Sequence, residues 1–391
     1  MLYLVIAIYL ASLATYYDFG GRVATLRSVH RWLVLLVFVL LSGLRYRLAP
    51  DNVAYMSQFN TDVVPLGDLT FEHLADARYQ PLWVLLNSFC KTLGSFTLLQ
   101  IATALIFNGC VFHFFRKATT RFFTAVLLFY LTCFFYFNME IVRESLAVGA
   151  FLVAICRYND RKVGAFFAWL VVAVLFHKFA ALLFITPLVL TRRVPTALKV
   201  LVAAIGGAWL ASFDSPLAYL ESFGGLVASL NLSVYDVDKE LSSTGLVYHC
   251  LRIAPLIVAL LWYRRRPLKD LRMRKDVIFP MAWVFVFVVL VRISSVPFVD
   301  RVSNYFVMFA LLCLVCALAD IVERRPLHAF RIPLVAGATV ASLAFYLLPL
   351  LQPDPKLGDI PTYRRYYPYY SILSMETDPD REYIIEIEAK E

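Results

Sequence analysis

Residues 96–115 read FTLLQIATALIFNGCVFHFF, an apolar run of 20 residues that contains no Lys, Arg, Asp or Glu. A helix needs roughly 20 apolar residues to cross the ~30 Å hydrocarbon core of a bilayer. Residues 277–291 and 334–351 are further runs of this kind. Across all 391 residues, 61% are hydrophobic and only 17% are charged, and the mean hydropathy is +0.70. A soluble domain would carry more charge, so the composition predicts a membrane protein.

The pattern predicts an all-α polytopic membrane protein with about 12 transmembrane helices, within a range of about 11–14. The count comes from cutting the sequence at its charged clusters, because charges are rare inside membrane helices. We expect residues 1–351 to form a single transmembrane helical domain with external loops at 46–95 and 214–245, followed by an external tail at 352–391. The apolar runs are 1–17, 32–45, 96–115, 121–137, 143–158, 163–176, 178–191, 197–213, 246–263, 277–293, 302–320 and 332–351.

The basic residues predict how this bundle is oriented. More than half of the 37 Lys and Arg residues lie in alternate short connections between the apolar runs. The positive-inside rule places such loops in the cytoplasm, so the other connections and both termini are predicted to be external. Segment 81–93 would invert every later loop if it crossed the membrane, and we interpret it as an amphipathic helix in the external interface. The basic clusters lie at 22–31, 116–121, 157–162, 192–199, 264–275 and 324–331.

Two other classes of protein are disfavoured. The net charge of +9 could indicate nucleic-acid binding, but the basic residues alternate with apolar runs in the way that orients membrane helices. Seven cysteines are present. No CxxC pair stands together with histidines at metal-ligand spacing, so neither a zinc site nor a disulfide framework is indicated. Packing is the expected role of the cysteines inside apolar runs: Cys110, Cys133, Cys156, Cys313 and Cys316.

A set of polar residues on the predicted external side runs against the positive-inside bias. A charge at membrane depth costs ~2.5–3.5 kcal/mol on insertion scales unless it meets a partner or a cavity. Local pairing is the simpler interpretation, Arg143 with Glu140 or Glu144 and Arg301 with Asp300. Clustered arginines beside a bilayer also suit a phosphate-bearing lipid, because the guanidinium group binds phosphate oxygens bidentately. The set comprises Arg45, Arg47, Arg78, Arg143, His177, Lys178, Arg252, Arg292 and Arg301.

Candidates for a catalytic base stand close to these arginines in sequence. Residues 138–144 (NMEIVRE) open the fifth apolar helix, so Glu140 and Glu144 would share a helical face. Either could act as a base, or both could merely neutralise arginines. His177-Lys178 interrupts the apolar stretch 163–190. The pair would lie near mid-membrane in one long helix, or at an external break between two short helices.

Short polar motifs follow one another in a fixed order along most of the chain. They are Leu44-Arg45, Asp51-Asn52-Val53-Ala54-Tyr55, Tyr79-Gln80-Pro81, Arg143-Glu144-Ser145-Leu146-Ala147, Phe176-His177-Lys178-Phe179-Ala180, Arg301-Val302-Ser303-Asn304-Tyr305-Phe306 and Tyr367-Pro368-Tyr369-Tyr370. In this order and spacing they resemble the EpsG-like branch of Wzy-type bacterial polysaccharide polymerases. The chain departs from the family pattern at Ala49-Pro50, where Gly-Thr is usual. It also has Glu144 in place of a glutamine and Gln80 in place of a glutamate.

The resemblance implies a glycosyltransferase with a GT-C-like helical bundle, working at the outer face of the bacterial inner membrane without a metal or other cofactor. Its partners would be a polyprenyl-diphosphate-linked oligosaccharide and the lipid bilayer, with a flippase and a chain-length regulator of the same pathway and no nucleic acid. The candidate bases are His177, Glu140, Glu144 and Asp51. The candidate substrate-binding residues are Arg45, Arg143, Arg301, Lys178, Arg78, Arg292, Tyr55 and Tyr305.

Two other functions stay open on the sequence alone. A transporter or lipid flippase would also have about a dozen helices with charges near a central cavity, although the related halves common in transporters are not evident here. An O-antigen ligase differs from a polymerase in its acceptor rather than in its chemistry. The sequence therefore does not separate a ligase from a polymerase.

Overall fold

The computed structural model describes residues 1–20, 26–75, 79–191, 243–292, 297–323, 351 and 360–388. Over these ranges the chain is helical, with two isolated β-bridges and no strand. The α-helices are α1 Leu2–Leu13, α2 Arg27–Gly43, α3 Pro50–Thr61, α4 Phe71–Ala75, α5 Pro81–Thr92, α6 Phe96–Ala118, α7 Phe122–Thr132, α8 Val142–Asn159, α9 Val163–Phe176, α10 Thr186–Leu190, α11 Ser243–Trp262, α12 Lys275–Arg292, α13 Pro297–Glu323 and α14 Pro379–Glu388.

Within the described ranges, three helical segments are long and apolar enough to cross a membrane: Leu2–Phe19, Phe96–Ala118 and Arg301–Glu323. The first joins α1 to a π-helical turn at Ala14–Phe19. Shorter apolar helices accompany them, including α7 and α9. The prediction of an all-α membrane protein is confirmed. The count of about 12 spans and the GT-C arrangement stay predictions. The predicted run 197–213 and all but the last residue of 332–351 lie outside the described residues.

Close helix packing around α6 builds the core. A side-chain carbon added at Gly43 of α2 would lie 2.6 Å from the Cγ1 atom of Ile101, so the glycine lets α2 approach α6 closely. Small residues commonly serve this purpose between membrane helices. Aromatic side chains fill the space beyond, with Phe107 stacked on Phe137 at 5.5 Å between ring centroids. This packing joins α2 and α6 to the π-helical turn Tyr136–Glu140, which directly precedes α8.

Helix α13 separates two charged clusters. It has 27 residues, which corresponds to about 40 Å at 1.5 Å per residue. Arg301 lies in its second turn and Glu323 is its last residue. Glu323 pairs with Arg121, whose Nε lies 2.6 Å from Oδ1 of Asp270. We call this the Arg121 end of the bundle and the opposite one the Arg301 end.

The Arg121 end joins loops that the sequence analysis assigned to the cytoplasm. Asp18, whose side chain is fully buried, accepts hydrogen bonds from the backbone N–H of Thr124 at 2.8 Å and from Nη2 of Arg27 at 2.9 Å. Arg272 N donates to the carbonyl oxygen of Ala118 at 2.8 Å. Residues of separate segments are thus joined by hydrogen bonds, and those to the Asp18 carboxylate are charge-assisted and therefore the stronger ones.

Two local predictions are resolved in the described part of the chain. Segment 81–93 forms helix α5, as predicted; its position in the membrane interface stays a prediction. The break at His177 is confirmed in its two-helix form, because α9 ends at Phe176 and a 3₁₀ helix begins at Lys178.

A third prediction is wrong: residues 138–144 do not open one continuous helix. A π-helical turn ends at Glu140, Ile141 leaves the helical conformation with φ −78° and ψ 44°, and α8 begins at Val142. Glu140 and Glu144 therefore do not share a helical face.

Candidate functional site

Glu144 forms the centre of the polar cluster at the Arg301 end. Its carboxylate is 2% exposed. Nη1 of Arg301 donates to Oε2 at 2.9 Å, and Nδ2 of Asn304 donates to Oε1 at 2.8 Å. A buried carboxylate is stable only when paired and hydrogen-bonded. Glu144 in the first turn of α8 therefore fixes the position of α13 through Arg301 and Asn304.

His177 and Tyr305 lie beside this pair. His177 follows the last residue of α9, and its Nδ1 is 3.2 Å from the hydroxyl oxygen of Tyr305. Tyr305 is four residues after Arg301 and so shares its helical face. Both His177 and Tyr305 are buried. The charges of Arg143, Arg301 and Lys178 all act on the imidazole ring, so the site joins the histidine to the predicted arginines.

Arg143 has open hydrogen-bond donors. Its guanidinium carbon lies 5.3 Å from the centroid of the Tyr79 ring, a cation–π contact. Its Nε and Nη1 atoms are buried, and no acceptor lies within hydrogen-bond distance of them in the described part of the chain. Buried guanidinium N–H groups rarely stay unpaired, and each such case calls for an explanation such as an unseen ion or ligand.

Asp51 and Tyr55 of α3 face the same arginines. The Asp51 side chain is open to solvent, yet protein atoms crowd it. This partial desolvation raises the pKa of its carboxyl, and the charges of Arg301, Arg365 and Arg143 lower it in part. Burial likewise raises the pKa of the Tyr55 phenol to about 12. The Asp51 carboxylate is therefore the accessible acidic group of the cluster.

Glu140 connects the cluster to the C-terminal tail rather than to Arg143. The hydroxyl of Tyr366 donates to Oε1 of Glu140, and Nη1 of Arg365 lies 3.9 Å from the same oxygen. The carbonyl oxygen of Arg365 accepts a hydrogen bond at 3.1 Å from the N–H of Ala49, the second residue before Asp51. The tail thus contacts the residue that precedes the first turn of α3.

The tail pairs with the end of α2 as a short antiparallel ribbon. Tyr46 N donates to the carbonyl oxygen of Tyr370 at 3.0 Å, and Ile372 N donates to that of Leu44 at 2.9 Å. Arg45 lies within this ribbon, opposite Ser371, and is 2% exposed. Its Nη1 donates to the carbonyl oxygen of Ser42, and burial lowers its pKa to about 10. Arg45 therefore supports the tail, away from the two arginines that face Glu144 and Asp51.

The remaining predicted residues have the following places. Lys178 is the first residue of the 3₁₀ helix after His177, and its positive charge acts on the His177 imidazole ring. Arg78 lies outside the described residues, and for Arg292 only the backbone, the last residue of α12, is described. Arg301 forms a cross-helix ion pair with Glu144, while the side chain of Asp300, its predicted local partner, lies outside the described part of the structure.

Some site residues were missed by the sequence analysis. Asn304 lies inside the motif that begins at Arg301, but an amide offers no charge pattern to mark it. Tyr366 and Arg365 stood in a tyrosine-rich tail that interfacial anchoring also explained. Tyr136 carried no sequence signal, although Asn304 also bonds to it. The common reason is that each contact joins segments distant in sequence.

The arrangement favours binding of an anion with an ionisable group beside it. Arg143 and Arg301 supply forked donors that suit phosphate oxygens. Asp51 and His177 are the groups that can take up a proton. In the part of the chain that the structure describes, no three His, Cys, Asp or Glu side chains come together as a metal site would require.

Comparison with known proteins gives a family. The EpsG family matches residues 28–371, which is most of the chain and includes every motif on which the resemblance rested. Neither the curated proteins nor the solved structures give a significant match. The family is the Wzy-like, polymerase-type family, so a polysaccharide polymerase-like function is suggested at this level. The chain belongs to the EpsG family.

Proposed function

We propose that this protein is a polysaccharide polymerase that transfers a glycan from polyprenyl diphosphate onto the next lipid-linked repeat unit, at the external face of the bacterial inner membrane. A hydroxyl oxygen at the non-reducing end of the acceptor attacks the anomeric carbon of the donor. The bond from that carbon to the diphosphate oxygen breaks, the hydroxyl proton passes to a base, and polyprenyl diphosphate leaves with the bonding electron pair.

Two buried N–H donors on Arg143, which have no acceptor among the described residues, support this function. A leaving diphosphate gathers negative charge on its oxygens, and preorganised donors stabilise such charge most when no reorganisation is needed. Arg143 is held by the Tyr79 ring and has Nε and Nη1 without an acceptor among the described residues. Arg301 is already oriented by Glu144 at 2.9 Å. The two guanidinium groups would thus hold the diphosphate.

We assign the proton acceptor to Asp51. Glu144 accepts hydrogen bonds from Arg301 and Asn304, so its role is to orient Arg301. Asp51 is open to solvent and lies within the field of the same arginines. A general base must reach the proton that it abstracts, and an accessible carboxylate meets that requirement best. His177, bonded to Tyr305, would hold α13 and α9 in register beside it.

The proposed chemistry includes no metal and no cofactor, because the guanidinium groups supply the positive charge near the diphosphate. Activity should accordingly persist in EDTA. The external location follows from the positive-inside rule applied to the loops at the Arg121 end, since those loops carry most of the basic clusters. Both parts of the proposal are open to direct measurement.

The test is incubation of the purified, detergent-solubilised protein with a synthetic repeat unit on polyprenyl diphosphate. A series of products that differ by one repeat unit supports the polymerase. A single addition to a different glycan, without such a series, indicates an O-antigen ligase. Unchanged substrate, with movement of the lipid between leaflets in proteoliposomes, indicates a flippase and overturns the proposal.

A further inference from the structure

An apolar groove opens in the side of the bundle between the 3₁₀ helix Lys178–Ile185 with α10 on one wall and α12 with α13 on the other. Its volume is about 260 Å³. All the residues that line it are apolar except Thr186 and Tyr305. The walls include Leu183 and Val189 on one side and Val284 on the other. Such a lining suits a hydrocarbon chain and offers few polar groups to hold water.

One end of the groove meets the candidate site. The Tyr305 ring lines the groove, while its hydroxyl is bonded to Nδ1 of His177. Val302, which also lines the groove, directly follows Arg301. Residues four apart on a helix lie about 6 Å apart. Arg301 and its partner Glu144 therefore stand one helical turn from the apolar surface.

The other end reaches the surface of the bundle. Ile185, which lines the groove, is 54% exposed, and the neighbouring Leu188 is 64% exposed. Exposed apolar side chains on a membrane protein face lipid tails. The groove thus runs from the lipid-facing surface to a pair of arginines. Its chemistry is that of a site for an amphiphile whose apolar chain ends in an anionic group.

We propose that this groove holds the isoprenoid chain of the lipid-linked donor, next to its diphosphate. The inference rests on the proposed function and adds the position of the chain. Pockets that enclose whole drug-sized ligands have volumes of ~300–1,000 Å³, so about 260 Å³ accommodates only a short stretch. The isoprene units nearest the diphosphate lie in the groove, and the rest of the chain lies in the bilayer.

Crosslinking tests the position of the chain independently of turnover. The probe is a polyprenyl diphosphate with a photoreactive diazirine on its second isoprene unit, incubated with the wild-type protein in detergent. We expect crosslinks within residues 179–189, 281–288 or 302–306. Crosslinks confined to other segments would overturn the proposal. Since no glycosyl transfer is required, this result stands even if the protein proves to be a flippase or a ligase.

Groove-filling variants give a second test through substrate length. Wild-type KM should fall at least about tenfold as the donor chain grows from one to four isoprene units, since each buried CH₂ is favourable. Val284→Trp or Val189→Phe should abolish this preference, so that KM no longer falls as the donor chain grows. Leu188→Trp, outside the groove lining, should keep the wild-type preference.

The outcomes of the length series are distinguishable. A full chain-length preference in both groove-filling variants contradicts the proposal and leaves a phospholipid acyl chain as the occupant. A protein that makes no polymer from any donor refutes the proposed function instead, and crosslinking then decides the position of the chain. Equal elution profiles of the variants and the wild-type protein exclude misfolding as the cause.

Discussion

Asp51 and Glu144 are carboxylates near the same arginines, yet their surroundings give them different roles. Glu144 is buried and bonded to Arg301 and Asn304. Asp51 is open to solvent at the start of α3. Removing one member of a buried ion pair leaves an uncompensated charge, which costs about 3–5 kcal/mol. Loss of Glu144 would therefore damage folding, whereas loss of Asp51 reports on chemistry.

The pH dependence of polymerisation should report the ionisation of the Asp51 carboxyl group. Desolvation raises its pKa above the usual aspartate value. Since the ionised form is the base, kcat/KM should fall as the pH drops through this raised pKa. Asp51→Asn should lower kcat/KM by about 10²-fold or more and remove that acidic limb. The measurement is a pH–rate profile on the purified protein.

Asp68→Asn is the matched control, because Asp68 is exposed in the same predicted external loop. It should keep the wild-type profile. An acidic limb that persists unchanged in Asp51→Asn would assign the base to another residue.

Ala49 shows the cost of a departure from the family pattern. Its φ is 65°, in the region that favours glycine, and the family usually has glycine here. Its N–H donates to the carbonyl oxygen of Arg365 at 3.1 Å, which helps to hold the strained conformation. Ala49→Gly should therefore stabilise the protein by about 1 kcal/mol, seen as a higher Tm in detergent. Ala54→Gly in the exposed face of α3 should lower it; a lower Tm for Ala49→Gly would refute the strain.

Single residues also show where sequence reasoning succeeds. The arginine and aspartate motifs were found because ionisable groups are conspicuous in apolar sequence. Their distant partners were not: Arg301 pairs with Glu144, 157 positions away, and neighbouring residues in the sequence do not point to that partner. Pairing of this kind is set by the packing of α8 on α13, which no local pattern encodes.

At the scale of elements, the C-terminal tail is held by one buried arginine. Arg381 of α14 is 1% exposed. Its Nε donates to the carbonyl oxygen of Arg364 at 3.2 Å, its Nη2 donates to that of Pro368, and its guanidinium lies over the Tyr370 ring at 5.4 Å. These contacts span the turn that carries Arg365. Arg381 is thus a positioning residue for the tail, acting from outside the segment that matches the family.

Arg381→Ala should release the tail without unfolding the bundle. Hydrogen bonds from charged groups contribute about 1.5–3 kcal/mol each, and two are lost. We expect faster proteolysis after residue 360, read by mass spectrometry, together with reduced polymer. Tyr383→Ala, at a half-exposed position of α14, should behave like the wild type. Wild-type protease resistance in Arg381→Ala would show that the ribbon with α2 holds the tail alone.

Element boundaries were predicted well where apolar runs end at charges, as for α6, predicted at 96–115 and observed at Phe96–Ala118. The prediction failed at 138–144, where helical spacing suggested one helix. The backbone leaves the helix at Ile141, between Glu140, which is bound by the tail, and Glu144, which is bound by α13. The periodicity of the sequence does not reveal such distant partners.

At the scale of the whole molecule, the two charged clusters lie at opposite ends of α13. Arg301 and Glu323 are separated by about 33 Å along the helix, close to the ~30 Å thickness of the hydrocarbon core. The clusters therefore fit the two faces of one bilayer. The Arg121 end carries the basic loops, and the Arg301 end carries the tail and the candidate site.

Fusions of alkaline phosphatase to full-length and truncated chains test this orientation. A fusion after residue 388 should be active, because the tail is predicted to be external. A fusion after Arg266 should be inactive, and the same junction fused to green fluorescent protein should fluoresce. Activity at Arg266 with none at 388 would invert the bundle and place the site in the cytoplasm.

In the proposed function, Arg143 helps to hold the diphosphate of a lipid-linked glycan during transfer. The most direct measurement compares the rate of polymer formation by Arg143→Ala with that by the wild type, at equal protein level, with synthetic lipid-linked repeat units. Loss of an electrostatic donor should lower kcat by about 100-fold or more. Arg116→Ala, exposed at the far end of α6, should retain full activity. A rate for Arg143→Ala equal to that of the wild type would contradict the claim.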